Sequence, residues 1–399
     1  MQTSLVLRLA VLVFGWALAI SSAHSQPPSP MSPIIIGQTT AMTGGPSASV
    51  REMTLSANLY FDSINSKGGI KGRPIKLITL DDAYDPARSV ANATKLLEEH
   101  HAIGMFLTRG TATTSAILPL LAKYRVPLVG PSTGAMSLHD PVNPYVFNVR
   151  SSYQAEAERA IEQIVGMELK KFGVIYVKDA FGLDAFAGVT KGLEKVSATN
   201  KTRIAPAYVE TFDRNTTDFT KIIDVAASAQ AQAVLIIATT EPTIALMRGI
   251  HAETIRRGAG RGGFFLTLSN NASGGFVDQL GDAAQGVIVA QVFPPERRMD
   301  IPLVAETSQL LKASNEYKDR KVSPAMLEGV AAAKVLVAAL RAAVAPTSQQ
   351  LIEALQSGIP FDIGWPGKEV SYTPRNHTGT QYTDLSIVSG TGKTLQFRR

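Results

Sequence analysis

Short apolar runs alternate with amphipathic segments along most of this 399-residue chain, and this alternation constrains the fold more than any other feature. Residues 34–39, 74–80 and 233–238 are apolar runs, whereas residues 50–66 and 242–257 place apolar side chains at helical spacing. Strands that alternate with helices of this length form βαβ units, which build parallel sheets with helices on both faces. The sequence therefore predicts an α/β protein.

The alternation occurs in two series, which predict two Rossmann-like lobes with parallel sheets. An extended apolar stretch at 143–153 separates the series, and a second stretch at 286–298 ends the second series. Long helices are predicted at 301–317 and 323–344. We interpret the two stretches as crossings between the lobes and expect a third near 365–370, so that several strands form one hinge. Because open α/β sheets bind ligands beyond the carboxyl ends of their strands, the cleft between the lobes is the predicted site, with hinge closure around the ligand.

The crossings define the predicted domain boundaries. Residues 34–149 and 293–365 form lobe 1, and residues 150–292 and 366–399 form lobe 2. The end of lobe 2 is predicted to be a β-hairpin.

Residues 1–25 have the composition of a secretory signal peptide. They carry one cation, Arg8, then an apolar run from Leu9 to Ile20 and small residues before the expected cleavage site. The run is shorter than the ~20 residues that a membrane span needs. Residues 26–33 are predicted to be a disordered leader. The chain has no cysteine, so it cannot carry a lipid anchor on cysteine, and we expect a mature protein free in the periplasm.

Composition and spacing exclude several classes of function. The formal net charge is +6, but the cations are spread along the chain apart from 256–261, so no nucleic-acid partner is predicted. The histidines lack metal-ligand spacing, and no cysteine is present to bind zinc. Residues 258–263 and 389–394 resemble phosphate-binding loops, but they do not lie between a strand and a following helix as such loops require. The sequence predicts no cofactor and no metal.

Five motifs, in chain order, resemble those of the type I periplasmic solute-binding proteins of ABC transporters, in the branch that binds leucine, isoleucine and valine. They are INSKGGIKGRPIKL (64–77), DDAYDP (81–86), FNVRSSY (147–153), KDAFG (178–182) and LGDAAQGV (280–287). The resemblance covers about the whole mature chain.

This resemblance implies a monomeric binding protein without catalysis. It captures a small carboxylate-bearing solute, such as a branched-chain amino acid, outside the cytoplasm and delivers it to the membrane permease of an ABC importer. Some members of the family bind aromatic acids, amides or urea-like compounds. Others are ligand sensors for a receptor or signalling system, and sensing is the alternative function here.

The resemblance implies that a first loop of lobe 1 contacts the ligand. This loop is the segment 107–117, which lies between a strand and a helix. Free N–H groups at the start of a helix suit a carboxylate, and Thr111 occupies the position of the hydroxyl that the family uses. Plain N-capping is the alternative for Thr111. Arg109, beside Gly110, binds a carboxylate with two hydrogen bonds in one interpretation, and points to solvent or pairs with an acidic residue in the other.

The second loop, VGPSTG at 129–134, contributes Ser132, Thr133 and Gly134, and Gly134 stands where relatives often have threonine. The same letters match the G-x-S-x-G nucleophile motif of α/β-hydrolases, with His377 as the downstream histidine. No oxyanion segment precedes the motif, and a hydrolase leaves the second βαβ series unexplained. Serine hydrolysis is therefore a distant alternative, and we expect His377 in a surface loop.

Lobe 2 contributes two aromatic and four polar candidates. They are Tyr153, Phe181, Thr240, Glu241, Ser269 and Asn270. The aromatic pair is predicted to cover the ligand, with core packing as the alternative. Many relatives place an acid near Ser269 to neutralise the α-ammonium of an amino acid, and this sequence has none there. Either Glu241 takes that role, or the ligand is a carboxylate without an ammonium, since a buried ammonium without an anion is unfavourable.

Overall fold

The computed structural model describes residues 31–258, 263–391 and 394–398 and contains two separate β-sheets, one in each lobe. The predicted signal peptide and residues 26–30 of the predicted leader lie outside the described residues. Elements are numbered in chain order.

The sheet of lobe 1 has five parallel strands in the order β2-β1-β3-β4-β5. The strands are β1 (Ile34–Thr40), β2 (Ile75–Asp81), β3 (Gly104–Phe106), β4 (Leu128–Val129) and β5 (Val146–Phe147). The helices of this lobe are α1 (Ser47–Asn65), α2 (Pro86–Glu98), α3 (Thr111–Tyr124), α9 (Pro302–Ala313), α10 (Pro324–Ala342) and α11 (Ser348–Leu355).

Buried side chains cover both faces of this sheet, as expected for parallel strands. Ile36 and Phe106 pack in a cluster with Leu336 of α10, on the side of α1. Met105 and Leu128 pack in a second cluster with α2 and α3. The two clusters explain why β3, β4 and β5 carry only apolar residues.

The sheet of lobe 2 has seven strands in the order β12-β11-β10-β9-β8-β6-β7. The strands are β6 (Phe172–Val177), β7 (Tyr208–Phe212), β8 (Ala233–Ile237), β9 (Phe264–Thr267), β10 (Ile288–Gln291), β11 (Asp384–Thr391) and β12 (Thr394–Arg398). The helices are α4 (Tyr153–Gly166), α5 (Ala180–Asn200), α6 (Thr220–Ala229), α7 (Thr240–Arg256) and α8 (Gly274–Leu280). Strands β11 and β12 form the predicted hairpin, which adds to β10 in antiparallel orientation. The predicted fold class is confirmed.

Side-chain caps set the starts of several helices. Asp85, Asp179 and Ser323 accept hydrogen bonds from backbone N–H groups in the first turns of α2, α5 and α10. Proline follows two of these caps at the first helical position, where its missing N–H is not needed. The helix start that the sequence predicts at 323 therefore falls one residue before the observed start at Pro324.

In the part of the chain that the structure describes, the backbone passes between the lobes three times. Val149 belongs to the core of lobe 1 and Tyr153 to that of lobe 2, and a second crossing separates Ala290 from Val292. The predicted third crossing near 365–370 is wrong, because Val370 and Tyr372, which we assigned to lobe 2, lie in the core of lobe 1. The Tyr372 hydroxyl donates to the carbonyl of Asn148 at 2.7 Å, so this segment packs beside the first crossing.

His377 is buried and does not lie in a surface loop as predicted. Its ring stacks on Phe147 with 4.2 Å between the centroids. Its Nδ1 lies 2.9 Å from the carbonyl oxygens of Asn143 and Val146, so this nitrogen carries the proton. The neighbours of His377 in the sequence are polar, so the sequence pattern did not indicate that this residue is buried.

His139 predicts a loss of stability in mild acid. Burial and then the charge of Arg150 lower the pKa of His139 to about 4, from 6.5 for the free side chain. As the pH falls from 6.5 towards 4, His139 binds a proton in the unfolded chain but stays neutral in the folded protein. The free energy of unfolding therefore falls by roughly 3 kcal/mol. Burial also lowers the pKa of His377, which adds to the loss. Urea unfolding at a series of pH values measures this slope.

We expect His139→Gln to remove much of the pH dependence and to keep the part due to His377. His101→Asn, at an exposed position, is the matched control and should leave the slope unchanged. Equal slopes in His139→Gln and the wild-type protein would contradict the assignment.

Candidate functional site

The predicted site residues lie where strands of both lobes end, and contacts between the lobes bring them together. Arg109, Gly110 and Thr111 follow β3, and Ser132, Thr133 and Gly134 follow β4; Phe181 follows β6, Thr240 and Glu241 follow β8, Ser269 and Asn270 follow β9, and Tyr153 begins α4.

The loop after β3 leads directly into α3. Gly110 precedes the helix with φ of 93°, a conformation that favours glycine, and an added Cβ would lie 2.3 Å from the Tyr84 ring. Among the described residues no side chain caps this helix, so its first N–H groups can face an acceptor. The Thr111 hydroxyl lies 2.9 Å from that of Thr133, so Thr111 joins the two loops and does not act as the N-cap.

Arg109 is buried and points across the cleft. Its Nη1 donates to Ser132 Oγ and its Nη2 donates to the carbonyl of Asn270 in lobe 2, both at 2.9 Å. The guanidinium therefore contacts both lobes. A guanidinium cannot accept a proton, so this bond does not activate Ser132 as a nucleophile.

Gly134 lies against the first crossing. Its carbonyl accepts the N–H of Tyr153 at 2.8 Å, and an added Cβ would lie 2.7 Å from Ser151 O and from Tyr153 N. Glycine is required at this position by a close approach of two backbones, which a sequence alone does not reveal.

The aromatic pair Tyr153 and Phe181 is buried in the core of lobe 2. Their rings meet edge to face with centroids 4.7 Å apart. Tyr153 also lies 4.8 Å from the guanidinium carbon of Arg150. These contacts agree with the alternative interpretation, in which the two rings pack in the core of lobe 2. They also hold the first turns of α4 and α5 together.

The polar residues of lobe 2 occupy different depths. Thr240 is buried and donates to Asn271 Oδ1 at 3.0 Å, and Asn270 Nδ2 donates to the carbonyl of Ala238 at 2.9 Å. Glu241 is exposed, and its Oε2 lies 3.9 Å from the Cβ position of Gly45 in lobe 1. Glu241 therefore stands at the rim of the cleft.

The acid beside Ser269 is Glu156, which the sequence analysis missed. Its Oε2 accepts the N–H of Ser269 at 2.8 Å, and its Oε1 accepts from Arg150 Nη2. The Arg150 side chain also donates to Ser269 Oγ, and its Nη1 lies 3.7 Å from Glu328 of α10. Burial raises the pKa of Glu156, and Arg150 opposes that rise. Charged residues inside the motif FNVRSSYQAE were the available signal for this cluster.

The sequence also did not indicate other polar contacts between the lobes. Arg214 of lobe 2 lies over the Tyr84 ring, with 4.1 Å from Cζ to the centroid, and donates to the Tyr84 carbonyl at 2.7 Å. The Glu52 carboxylate of α1 accepts the N–H of Gly275 at 3.0 Å, at the start of α8. With Arg109, these residues hold the two lobes against each other.

The sequence profile described as "Periplasmic binding protein" matches residues 33–393. An amino acid binding protein of Pseudomonas aeruginosa is 25% identical over 55% of this chain and 57% of that relative. A Leu/Ile/Val-binding protein homolog of Brucella melitensis is 27% identical over 50% of this chain and 53% of that relative. The chain thus spans about half the length of the curated relatives it matches.

Solved structures show the same architecture. A substrate-binding periplasmic protein from Ralstonia solanacearum has a TM-score of 0.79 and 30% identity, covering 92% of this chain and 100% of that one. A possible leucine/isoleucine/valine-binding protein from Rhodopirellula baltica has a TM-score of 0.81 and 25% identity, covering 94% and 98%.

This two-lobed fold, with polar loops of both lobes facing one cleft, defines a class of proteins that bind small molecules by closing around them. The chain belongs to the periplasmic binding protein family. Within the described residues, no helix is both apolar enough and long enough to cross a membrane.

Because Gly134 lies so close to the first crossing, we expect Gly134→Ala to lower the stability of the protein strongly. The new Cβ has no room against backbone atoms of the first crossing, so we expect a loss of at least ~1–3 kcal/mol in the free energy of unfolding. Gly166→Ala is the matched control, because the Cβ position of Gly166 has nothing within 4 Å and the residue ends α4. Urea unfolding compares the two, and similar midpoints would contradict the close approach at Gly134.

Proposed function

We propose that this protein is the extracytoplasmic substrate-binding protein of an ABC importer and binds a small carboxylate-bearing solute in the cleft between its lobes. The observation that carries this proposal is the position of Arg109, whose buried guanidinium contacts both lobes beside the uncapped N-terminus of α3.

The chemistry of this position suits a carboxylate. Arginine binds a carboxylate with two parallel hydrogen bonds, and the first N–H groups of a helix attract negative charge. The hydroxyls of Thr111, Ser132 and Thr133 lie in the same two loops and supply further donors. A carboxylate would replace the Asn270 carbonyl as the partner of one arm of Arg109.

Contacts from both lobes couple binding to closure. A ligand that touches Arg109 in lobe 1 and Ser269 or Asn270 in lobe 2 favours the closed state by its extra contacts there. The proposed partner is the membrane permease of the importer, which would receive the ligand from a monomeric binding protein in the periplasm. The names of the two curated relatives, an amino acid binding protein and a Leu/Ile/Val-binding protein homolog, support an amino acid or a related acid as the ligand. Sensing needs the same cleft and a different membrane partner.

Ligand binding should raise thermal stability by mass action, by about 2.7 kcal/mol at a hundredfold excess over Kd. A thermal-shift screen of amino acids, aromatic acids, amides and ureas measures this. A panel in which no carboxylate shifts the melting temperature would contradict the proposed ligand class.

Arg109→Met tests the contact that carries the proposal. The variant loses two charge-assisted hydrogen bonds, so the affinity for the carboxylate found in the screen should fall about 10- to 100-fold. Arg88→Met, at an exposed position on α2, is the matched control and should bind as the wild-type protein does. Ester hydrolysis that disappears in Ser132→Ala would instead favour the hydrolase alternative.

A further inference from the structure

We propose that Glu328 and Gln291 bind the α-ammonium of the ligand, so that the cleft accepts α-amino acids and discriminates against acids that lack the amine. This inference rests on the proposed function and names the ligand class of the same cleft.

A small cavity of about 10 Å³ lies between the lobes at the inner end of the cleft. Its polar lining comes from Ser49 and Arg109 of lobe 1, Ser269 of lobe 2, Gln291 at the second crossing and Glu328 of α10. A space of this size holds about one water molecule, and an ammonium group is of similar size. A whole amino acid is larger, so the lobes must open and close again around it, with the ammonium in this cavity.

Two hydrogen-bond acceptors that line this cavity receive no hydrogen bond from the described residues. They are Oε1 of Glu328 and Oε1 of Gln291, and both side chains are more than nine-tenths buried. Gln291 donates through Nε2 to Ser386 Oγ at 2.7 Å, which leaves its oxygen as the atom available to a ligand. Buried acceptors without donors are unfavourable, and an ammonium has three donors to offer.

The charges around the cavity favour a cation beside Glu328. Glu156 receives hydrogen bonds from Arg150 Nη2 and from the Ser269 N–H, whereas Arg150 Nη1 has no hydrogen-bond partner among the described residues. Glu328 lies 3.7 Å from Arg150 Nη1 without a hydrogen bond. The two carboxylates and one guanidinium together carry a net charge of −1 (−2 + 1).

Arg109 provides the opposite charge on the same cavity. A zwitterion therefore matches the site, with its carboxylate at Arg109 and the start of α3 and its ammonium at Glu328 and Gln291. Glu241 is the competing anion, but it is exposed at the rim, where solvent weakens its attraction for a cation.

Matched pairs of ligands test the inference with the wild-type protein. The pairs are L-leucine with 4-methylpentanoate, L-phenylalanine with 3-phenylpropanoate, and L-glutamate with glutarate. Each pair differs in the α-amine alone. Titration calorimetry should show that the amino acid of the pair that binds does so at least about tenfold more tightly, because its analogue leaves Glu328 without a donor.

The outcomes separate the two proposals. An acid that binds as tightly as its amino acid, or more tightly, overturns the inference and leaves the proposed function standing. No binding by any member of the three pairs counts against both.

Variants test which residues are responsible. Glu328→Gln should lower the affinity for the amino acid about 10- to 100-fold and leave that for the analogue nearly unchanged, so that the ratio within the pair falls. Gln291→Met keeps the volume and removes the acceptor, and it should lower the same ratio even if Glu328→Gln does not fold. Glu353→Gln, at an exposed position on α11, is the matched control. A ratio that falls in Glu241→Gln and persists in Glu328→Gln and Gln291→Met would overturn the assignment in favour of Glu241.

Discussion

The buried charge of Arg150 is the interaction on which the arrangement of the two lobes depends. The residue lies where the chain first leaves lobe 1, and its side chain is buried. An unpaired charge in such a place costs several kcal/mol, so Glu156 of lobe 2 and Glu328 of lobe 1 must stay beside it. This requirement joins the start of α4, the start of α10 and the turn after β9 to one point of the hinge.

The cluster of Arg150, Glu156 and Glu328 also sets the geometry of the cleft. Ser269 bonds both members of the Arg150–Glu156 pair, which places the loop after β9 opposite the loops of lobe 1. Arg109 then reaches Asn270 across the gap. The charges at the inner end of the cleft are thus arranged by the hinge itself.

Elements that depend on local pattern were predictable. The apolar run at 233–238 is wholly buried in the centre of a parallel sheet, and the helix predicted at 323–344 is observed at Pro324–Ala342. The candidate loops were also found in advance, because parallel strands place their carboxyl ends at one edge. The roles of Gly134, Glu156 and Glu328 were not predictable, because each depends on a residue brought close by another part of the chain.

The sequence by itself determined the two series of βαβ units, the loops that face the cleft and the family to which the chain is related. Only the tertiary structure decided that His377 is buried, that the third crossing lies after Tyr372 and that Glu328 shares a cavity with Arg109. The physical reason is the range of the interactions. Periodicity and capping act over a few residues, whereas the pairing of Arg150 with Glu328 joins positions 178 residues apart (328 − 150).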